Sequence, residues 1–263
     1  MKTIVSRDNA SFKELRDLAR AARRQRRAGR TLLDGAHLVA TALDRGLVPE
    51  LLAFDEDAFA RPEIAALRAR AGAVPALCLR GALFGEISEL ASSSGVLARI
   101  AVPPAPTSLP AGDCLLLDAV QDAGNVGALL RTAAATDVRD VLLGSGCAGA
   151  WTPRVLRAAQ GAQFGLRLHE QVDLAAFLRG YPGTAIAAVA HGGASLYALD
   201  LAPPLAWLFG NEGAGVAAEL LAAAPVRATI PLAAGCESLN VAAAAAVCLF
   251  EMRRQRGQMR IAR

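Results

Sequence analysis

From Cys114 onward the chain is punctuated by short, unbroken apolar runs: CLLLD (114–118), DVLLG (140–144), GLRLHE (165–170), AIAAVA (185–190), LAWLFG (205–210) and VRATIPL (226–232). Helical or loop-like stretches separate them. Strands apolar at consecutive positions are covered on both faces, so the alternation predicts a parallel sheet with helices on either side. Ligands of such sheets gather at the carboxyl ends of the strands, which directs attention to the polar turns after Asp118, Gly210 and Leu232. Upstream, TLLD (31–34), LLAF (51–54), VPALCL (74–79) and VLARIAV (96–102) read as strands, with AHLVATALDR (36–45) and RPEIAALRARA (61–71) as helices between them. The stretch SFKE (11–14) fits a capping box that opens a helix running to about Ala28, with Leu15, Leu18 and Ala22 as its apolar stripe. Four prolines in VPPAPTSLPAGD (102–113) interrupt the pattern and read as a semi-rigid linker. The expected organisation is a smaller α/β domain over 1–102, a linker over 103–112 and a parallel-sheet α/β domain over 113–263.

Composition adds the class. Of 263 residues, 54% are hydrophobic, 20% charged and 5% aromatic, which suits a well-buried α/β enzyme and excludes a disordered chain. The net charge of +4 is modest, but its placement is not. Residues 1–30 hold ten Lys/Arg against three acidic residues, and the tail adds Arg253, Arg254, Arg256, Arg260 and Arg263. Basic ends on a near-neutral middle are the footprint of a polyanion binder such as a nucleic-acid-binding protein, and Arg23, Arg24, Arg26, Arg27 and Arg30 are the candidate nucleic-acid contacts. A solvated helix face is the plainer alternative. The cysteines at 78, 114, 147, 236 and 248 form no CxxC pair; neither a disulfide framework nor a metal site is expected, and a reducing compartment is. The first residues lack the apolar core of a signal peptide, and Val241–Phe250, the longest apolar run, is too short for a membrane span. A cytoplasmic protein without membrane contact is expected.

Four loops carry candidate chemistry. GSGCAG (144–149) satisfies a dinucleotide-type G-x-G-x-x-G, but Trp151 intervenes before Thr152 and Pro153 cap the next helix. The acidic residue expected on a following strand is also missing, since Asp173 begins a helix. It reads as a glycine-rich turn. The second loop, LDAVQDAGNVGALLRTAAATD (117–137), places Asn125 after a strand and Arg131 six positions later, both read as pointing near one side of the helix. Gly124 and Gly127 allow close backbone approach. In LFGNEGAGV (208–216), three glycines surround the single carboxylate of Glu212. In IPLAAGCESLNV (230–241), Cys236, Glu237, Ser238 and Asn240 crowd between two apolar elements, where each needs a partner. Taken singly, these are also what capped helices and glycine turns look like.

Together, in this order, the last three resemble the three signature motifs of the SpoU (TrmH-like) RNA ribose methyltransferases of the SPOUT superfamily. The first motif matches in Asn125, Gly127 and Arg131, the second in Gly210, Glu212 and Gly215. The third matches in Ile230, Pro231, Glu237, Ser238, Leu239, Asn240 and Val241. RVLRAAQGAQF (154–164) is similar to the family's mid-domain segment. LLDGAHLV (32–39) and SSSGVLARI (92–100) are similar to the ribosomal-protein-like substrate-binding domain often fused to it. Three positions depart from the pattern: Ala123 replaces a usual Pro, Leu232 a common Met, and Gly235 comes one place late.

The resemblance implies a deep trefoil knot in the C-terminal domain and a homodimer formed through it. It also implies S-adenosylmethionine bound among the knotted loops, with no metal. Backbone at Gly210, Ile230 and Leu239, beside Phe209 and Leu232, would hold the adenosine end. Ser238 and Asn240 would face the reacting centre. The implied reaction is methylation of a ribose 2′-hydroxyl, with Arg131, Asn125, Glu212, Ser238 and Asn240 as catalytic residues. Because a guanidinium stays protonated, Arg131 is assigned to the neighbouring phosphate and the developing alkoxide, with Glu212 orienting it. The fused first domain points to 23S ribosomal RNA; transfer RNA and a resistance-type ribosomal methylation are the alternatives. A noncatalytic RNA-binding protein would also explain the basic ends but would give Glu212, Ser238 and Asn240 no role. A nicotinamide enzyme would rest on GSGCAG alone.

Overall fold

A computed structural model describes residues 1–20, 22–90 and 93–257. The chain divides into two compact units, one of residues 1–104 with 151–164, the other of residues 105–150 with those from 165 onward.

The first unit is built on a mixed sheet of β1 (Lys2–Ile4), β2 (Arg30–Asp34), β3 (Leu51–Asp55), β4 (Ala76–Leu79) and β5 (Val96–Ala101). Their order is β1-β4-β3-β5-β2, with β5 antiparallel to both neighbours and the rest parallel. Within the first helical stretch the described segments are α1 (Ala10–Arg20) and α2 (Ala22–Ala28). Its cap is Asn9 and not Ser11: the Asn9 side chain accepts from Ser11 N at 2.9 Å, an acceptor as good as a serine hydroxyl and two residues earlier. Phe12, Leu15 and Leu18 pack with Leu32, Leu97 and Phe84 of α5 (Gly81–Ile87). The other core gathers Val39 of α3 (Ala36–Asp44), Ile64 of α4 (Pro62–Arg70), Phe54 and Leu156. Trp151 and Phe164 lean against it, and the Thr31 hydroxyl donates to the Trp151 carbonyl at 2.6 Å. Residues 151–164, read in sequence as part of the second domain, pack with the first because their apolar side chains complete its core.

The second unit is a seven-stranded, wholly parallel sheet. Its strands are β6 (Cys114–Leu117), β7 (Asp140–Leu143), β8 (Arg167–Glu170), β9 (Thr184–Ala188), β10 (Ala194–Ser195), β11 (Leu205–Phe209) and β12 (Val226–Thr229). The order β10-β12-β9-β11-β6-β7-β8 means that β7 and β8 extend to one side of β6. The chain then crosses to the other side and later inserts β11 beside β6. Such a switch leaves a crevice at the carboxyl ends. The helices are α6 (Ala123–Ala135), α7 (Pro153–Ala159, which packs in the first unit), α8 (Leu174–Gly180), α9 (Ala218–Ala223) and α10 (Val241–Gln255). One face of the sheet is covered by α8 and α9; α6 and α10 pack on each other. All four β6 side chains are fully buried, as the unbroken apolar runs require. Only β1 and β10, three and two residues long, escape the sequence pattern, being too short to show one. Among the described residues no helix is long and apolar enough to cross a membrane, and no group of three His, Cys, Asp or Glu is placed to hold a metal.

Candidate active site

The turn after β6 is tied to the turn after β11 before any functional side chain enters. Asp118 donates its N–H to the Phe209 carbonyl at 2.9 Å, and its carboxylate accepts from Ala217 N at 2.8 Å. Ala119 takes a left-handed φ of 51°, and its carbonyl accepts from Asn211 Nδ2 at 2.9 Å. Within the second turn Asn211 and Gly215 exchange backbone hydrogen bonds at 2.9 Å each. Gly210 lies against this ring: a Cβ there would come within 2.2 Å of the Gly215 carbonyl carbon, so no other residue fits.

Three side chains from the three motif loops then meet. Asn240 caps α10, its Oδ1 accepting from Ala242 N at 2.9 Å and Ala243 N at 3.3 Å. Its Nδ2 donates to Asn125 Oδ1 at 2.9 Å, and Asn125 Nδ2 donates to Glu212 Oε1 at 2.9 Å. Asp122 caps α6 by accepting from Asn125 N at 2.8 Å, while its own N–H reaches Glu212 at 3.4 Å. The carboxylate can only accept, so it fixes which way the Asn125 amide points, and Asn125 in turn fixes Asn240. Burial pushes the Glu212 carboxyl up. The hydrogen bonds from Asn125 and from backbone N–H groups of Glu212, Asp122 and Gln121 outweigh that and hold it below the usual range. Glu212 is an anion at neutral pH.

A cleft of about 520 Å³ opens beside this run. All five residues expected at a cofactor, Phe209, Gly210, Ile230, Leu232 and Leu239, line it, together with Glu212, Ser238 and Asn240. The sequence reading missed the turn after β9, where Val189 and His191 also line the cleft; the signal that could have found it is HGG (191–193), which directly follows the apolar run AIAAVA. Residues 233–240 are exposed, so the polar cluster of that loop is not shielded within the chain. Among the described residues, and apart from Asn240, its one side-chain bond is Cys236 Sγ to the Ser238 carbonyl at 3.5 Å.

Arg131 is exposed on α6 and makes no hydrogen bond or ion pair among the described residues. Six residues along an α-helix is 600° of rotation and about 9 Å of rise, which turns Arg131 about 120° from Asn125. The expectation that both point to one side is corrected by this geometry. Nor is Glu212 paired with Arg131: its bonds go to Asn125 and Asp122.

Residues 114–250 match the model of the SpoU rRNA Methylase family. The chain belongs to that family. It is 33% identical over 261 residues to the 23S rRNA (guanosine(2553)-2'-O)-methyltransferase RlmP of Bacillus subtilis, covering 96% of this chain and 100% of that protein. It is 32% identical over 267 residues to an uncharacterized tRNA/rRNA methyltransferase of Synechocystis, covering 96% and 94%. An AdoMet-bound rRNA methyltransferase from Sinorhizobium meliloti superposes with a TM-score of 0.82 at 25% identity, over 96% of this chain and 97% of that one.

In this SpoU-family chain Ala123 opens α6 at its first position, a place that suits proline equally well, so that departure leaves the turn intact. The candidate RNA contacts divide. Arg23, Arg26 and Arg27 are exposed and unpaired among the described residues. Arg24 pairs with Asp17, and Arg30 with Glu50 at 2.6 Å and Glu14 at 3.8 Å. In the basic tail, Arg254 pairs with Glu251 and Arg256 with Asp113; these charges are already neutralised by carboxylates in the fold. Arg260 and Arg263 lie outside the described residues.

Proposed function

We propose that the protein is an S-adenosylmethionine-dependent methyltransferase acting on a ribose 2′-hydroxyl of 23S ribosomal RNA. The hydrogen-bonded run Asn240–Asn125–Glu212, which gathers three distant loops beside one cleft, carries the reading. The cleft suits the cofactor. Its volume lies in the range of small-molecule sites. Gly210 leaves bare backbone where a Cβ would clash, and Leu232 and Leu239 offer apolar contact for a flat purine. When bound, S-adenosylmethionine would supply a sulfonium methyl group to the ribose oxygen, with the electron pair of the broken S–C bond staying on sulfur and the hydroxyl proton released to solvent water. Backbone at Gly210, Ile230 and Leu239 holds the nucleoside. Asn125, fixed by Glu212 and Asn240, positions the ribose with Ser238; such positioning is a large source of rate. Arg131, free of partners among the described residues, binds the adjacent phosphate and stabilises the developing alkoxide.

The wider assembly belongs to the same reading. Residues 1–102 bind RNA through α2, the 103–112 stretch links, and the remainder, apart from residues 151–164 that pack with the first unit, catalyses, in the cytoplasm. The C-terminal segment forms a deep trefoil knot. The supporting feature is the path after β12: from the far side of β9 the chain passes the turns of β6 and β11, and α10 packs on α6. A homodimer through this domain is supported by the exposed loop 233–240 and by Phe250 and Leu239, apolar side chains 41% and 38% exposed.

The test is the chemistry of the product. Alkali cleaves RNA only where a free 2′-hydroxyl can attack its phosphate. RNA methylated by the protein with labelled cofactor should leave the label in an alkali-resistant dinucleotide. Label in an ordinary mononucleotide would mean base methylation and end the proposal.

A further inference from the structure

Asn211 stands between the bare backbone of Gly210 and the carboxylate of Glu212, and its side chain bonds in two directions. Within the loop, its Oδ1 accepts from Gly213 N at 2.9 Å and Ala214 N at 3.0 Å, which closes an Asx-type turn around Glu212. Across the site, its Nδ2 donates to the Ala119 carbonyl at 2.9 Å, over 92 residues of chain. Because β6 and β11 are neighbours in the sheet, their turns stand side by side. The loop ends are held independently, Phe209 by Asp118 N at 2.9 Å and Ala217 by the Asp118 carboxylate at 2.8 Å. Glu212 lies between those ends beside Gly213 and Gly215, which add no stiffness. Near the carboxylate itself, the Asn211 amide is the tie.

The anchor it grips is itself braced. Ala119 has a left-handed φ of 51°, a conformation that costs a non-glycine residue free energy and persists only where neighbours hold it. The loop GSGCAG (144–149), to which no function has so far fallen, supplies that hold from the β7 side. Gly144 N donates to the Leu117 carbonyl and Ala148 N to the Val120 carbonyl, each at 2.9 Å. Cys147 Sγ reaches the Leu117 carbonyl at 3.2 Å. Gly146, at φ 84°, lies so close that a Cβ there would come within 3.2 Å of the Ala119 side chain. The same braced turn leads to Asp122 and Asn125, which Glu212 meets at 3.4 and 2.9 Å. Losing the Nδ2 bond therefore leaves the loop its own turn but frees Glu212 to drift from Asn125. A hydrogen bond does not survive a displacement of about 1 Å.

We infer that Asn211, although it lines the cleft, is a positioning residue that acts through Glu212: its amide ties the loop to the Ala119 carbonyl and so sets the carboxylate against Asn125. The inference rests on the proposed methyl transfer. The experiment measures S-adenosylhomocysteine affinity by calorimetry and the single-turnover rate of transfer to 23S ribosomal RNA at saturating cofactor. It compares the full chain with Asn211→Asp and Asn211→Ser, each with Glu212 intact and with Glu212→Gln. Both substitutions keep an acceptor for the turn and remove the donor. The serine variant adds no charge, so it decides the matter if a second carboxylate beside Glu212 prevents folding. With Glu212 intact, transfer should slow about 10- to 100-fold, while affinity stays within about twofold of the parent. In the Glu212→Gln chain the same substitutions should slow it no further, since residues that act as one unit are not additive. An equal fold-loss in both backgrounds would show Asn211 acting apart from Glu212 and overturn the inference. So would weakened affinity with an unchanged saturated rate, the mark of a cofactor contact, or a Glu212→Gln chain as fast as the parent. A parent chain that transfers no methyl group would instead remove the proposed function on which the inference rests.

Discussion

Asn240 has two roles that can be separated by one atom. Its Oδ1 caps α10 and its Nδ2 holds Asn125. Asn240→Asp keeps the capping acceptor but loses the donor and sets a second carboxylate near Glu212. Methyl transfer should fall about 100-fold, the cost of misplacing reacting groups, while calorimetric stability stays close to the parent. Asn240→Ala should lose activity and, in addition, about 1 kcal/mol of stability with the cap. Equal stability losses in both variants would mean that the cap and the amide bridge are not separable. Arg131 presents the converse case. Exposed on a helix and without a partner among the described residues, it can become alanine at no structural cost. Arg131→Ala is expected to lower transfer about 100- to 1,000-fold yet bind S-adenosylhomocysteine as tightly as the parent. Lost cofactor affinity in a folded protein would contradict its assignment to the RNA phosphate.

Helix α10 illustrates how an element is anchored at both ends. At its start stands the Asn240 cap; at its end, Gln255 donates to the Leu199 carbonyl at 3.1 Å and accepts from Leu201 N at 3.0 Å. Glu251 joins this end through Arg254 at 2.7 Å and Gln255 at 3.0 Å. Hydrogen bonds from Arg254 first, then Gln255, hold its carboxyl down to about 2, against an ordinary value of 4.5. A folded pKa below the unfolded one stabilises above the unfolded value and is lost as pH falls through the folded one. Glu251→Gln should therefore melt below the parent at pH 7, and the gap should close between about pH 4.5 and 2. Melting curves across that range check it; a gap independent of pH would show that the charge is not what anchors the helix end.

At the scale of the molecule, residues 151–164 decide how the chain can be divided. Leu156 sits in the apolar core of the first unit with Trp151 and Phe164 against it, although both flanking stretches belong to the second. A fragment beginning at Ala105 should keep cofactor affinity and lose RNA affinity, but these side chains will be uncovered and the fragment should self-associate. Replacing Trp151, Leu156 and Phe164 by polar residues should return it to a defined size. Chromatography and calorimetry on both fragments decide the matter: a monodisperse unaltered fragment would show that the segment is covered without the first unit. The complementary fragment, 1–104, should lose about 2–5 kcal/mol with the missing Leu156 contacts alone.

The sequence by itself determined six of the seven strands of the second sheet and its parallel character, because a strand buried on both faces is apolar at consecutive positions. It also marked Asn125, Glu212 and Asn240, whose glycine-rich and capping surroundings are local signals. Tertiary structure alone decided the rest. Local periodicity carries no information on which strand pairs with which, so the order β12-β9-β11-β6 and the mixed first sheet could not be read. Loop closure over 87 and 115 residues is set by packing of the whole unit, and only that brought Glu212 and Asn240 to Asn125. The same packing drew residues 151–164 out of the unit that flanks them and set His191 at the cleft; the angle of about 120° between Arg131 and Asn125 follows from helix geometry alone.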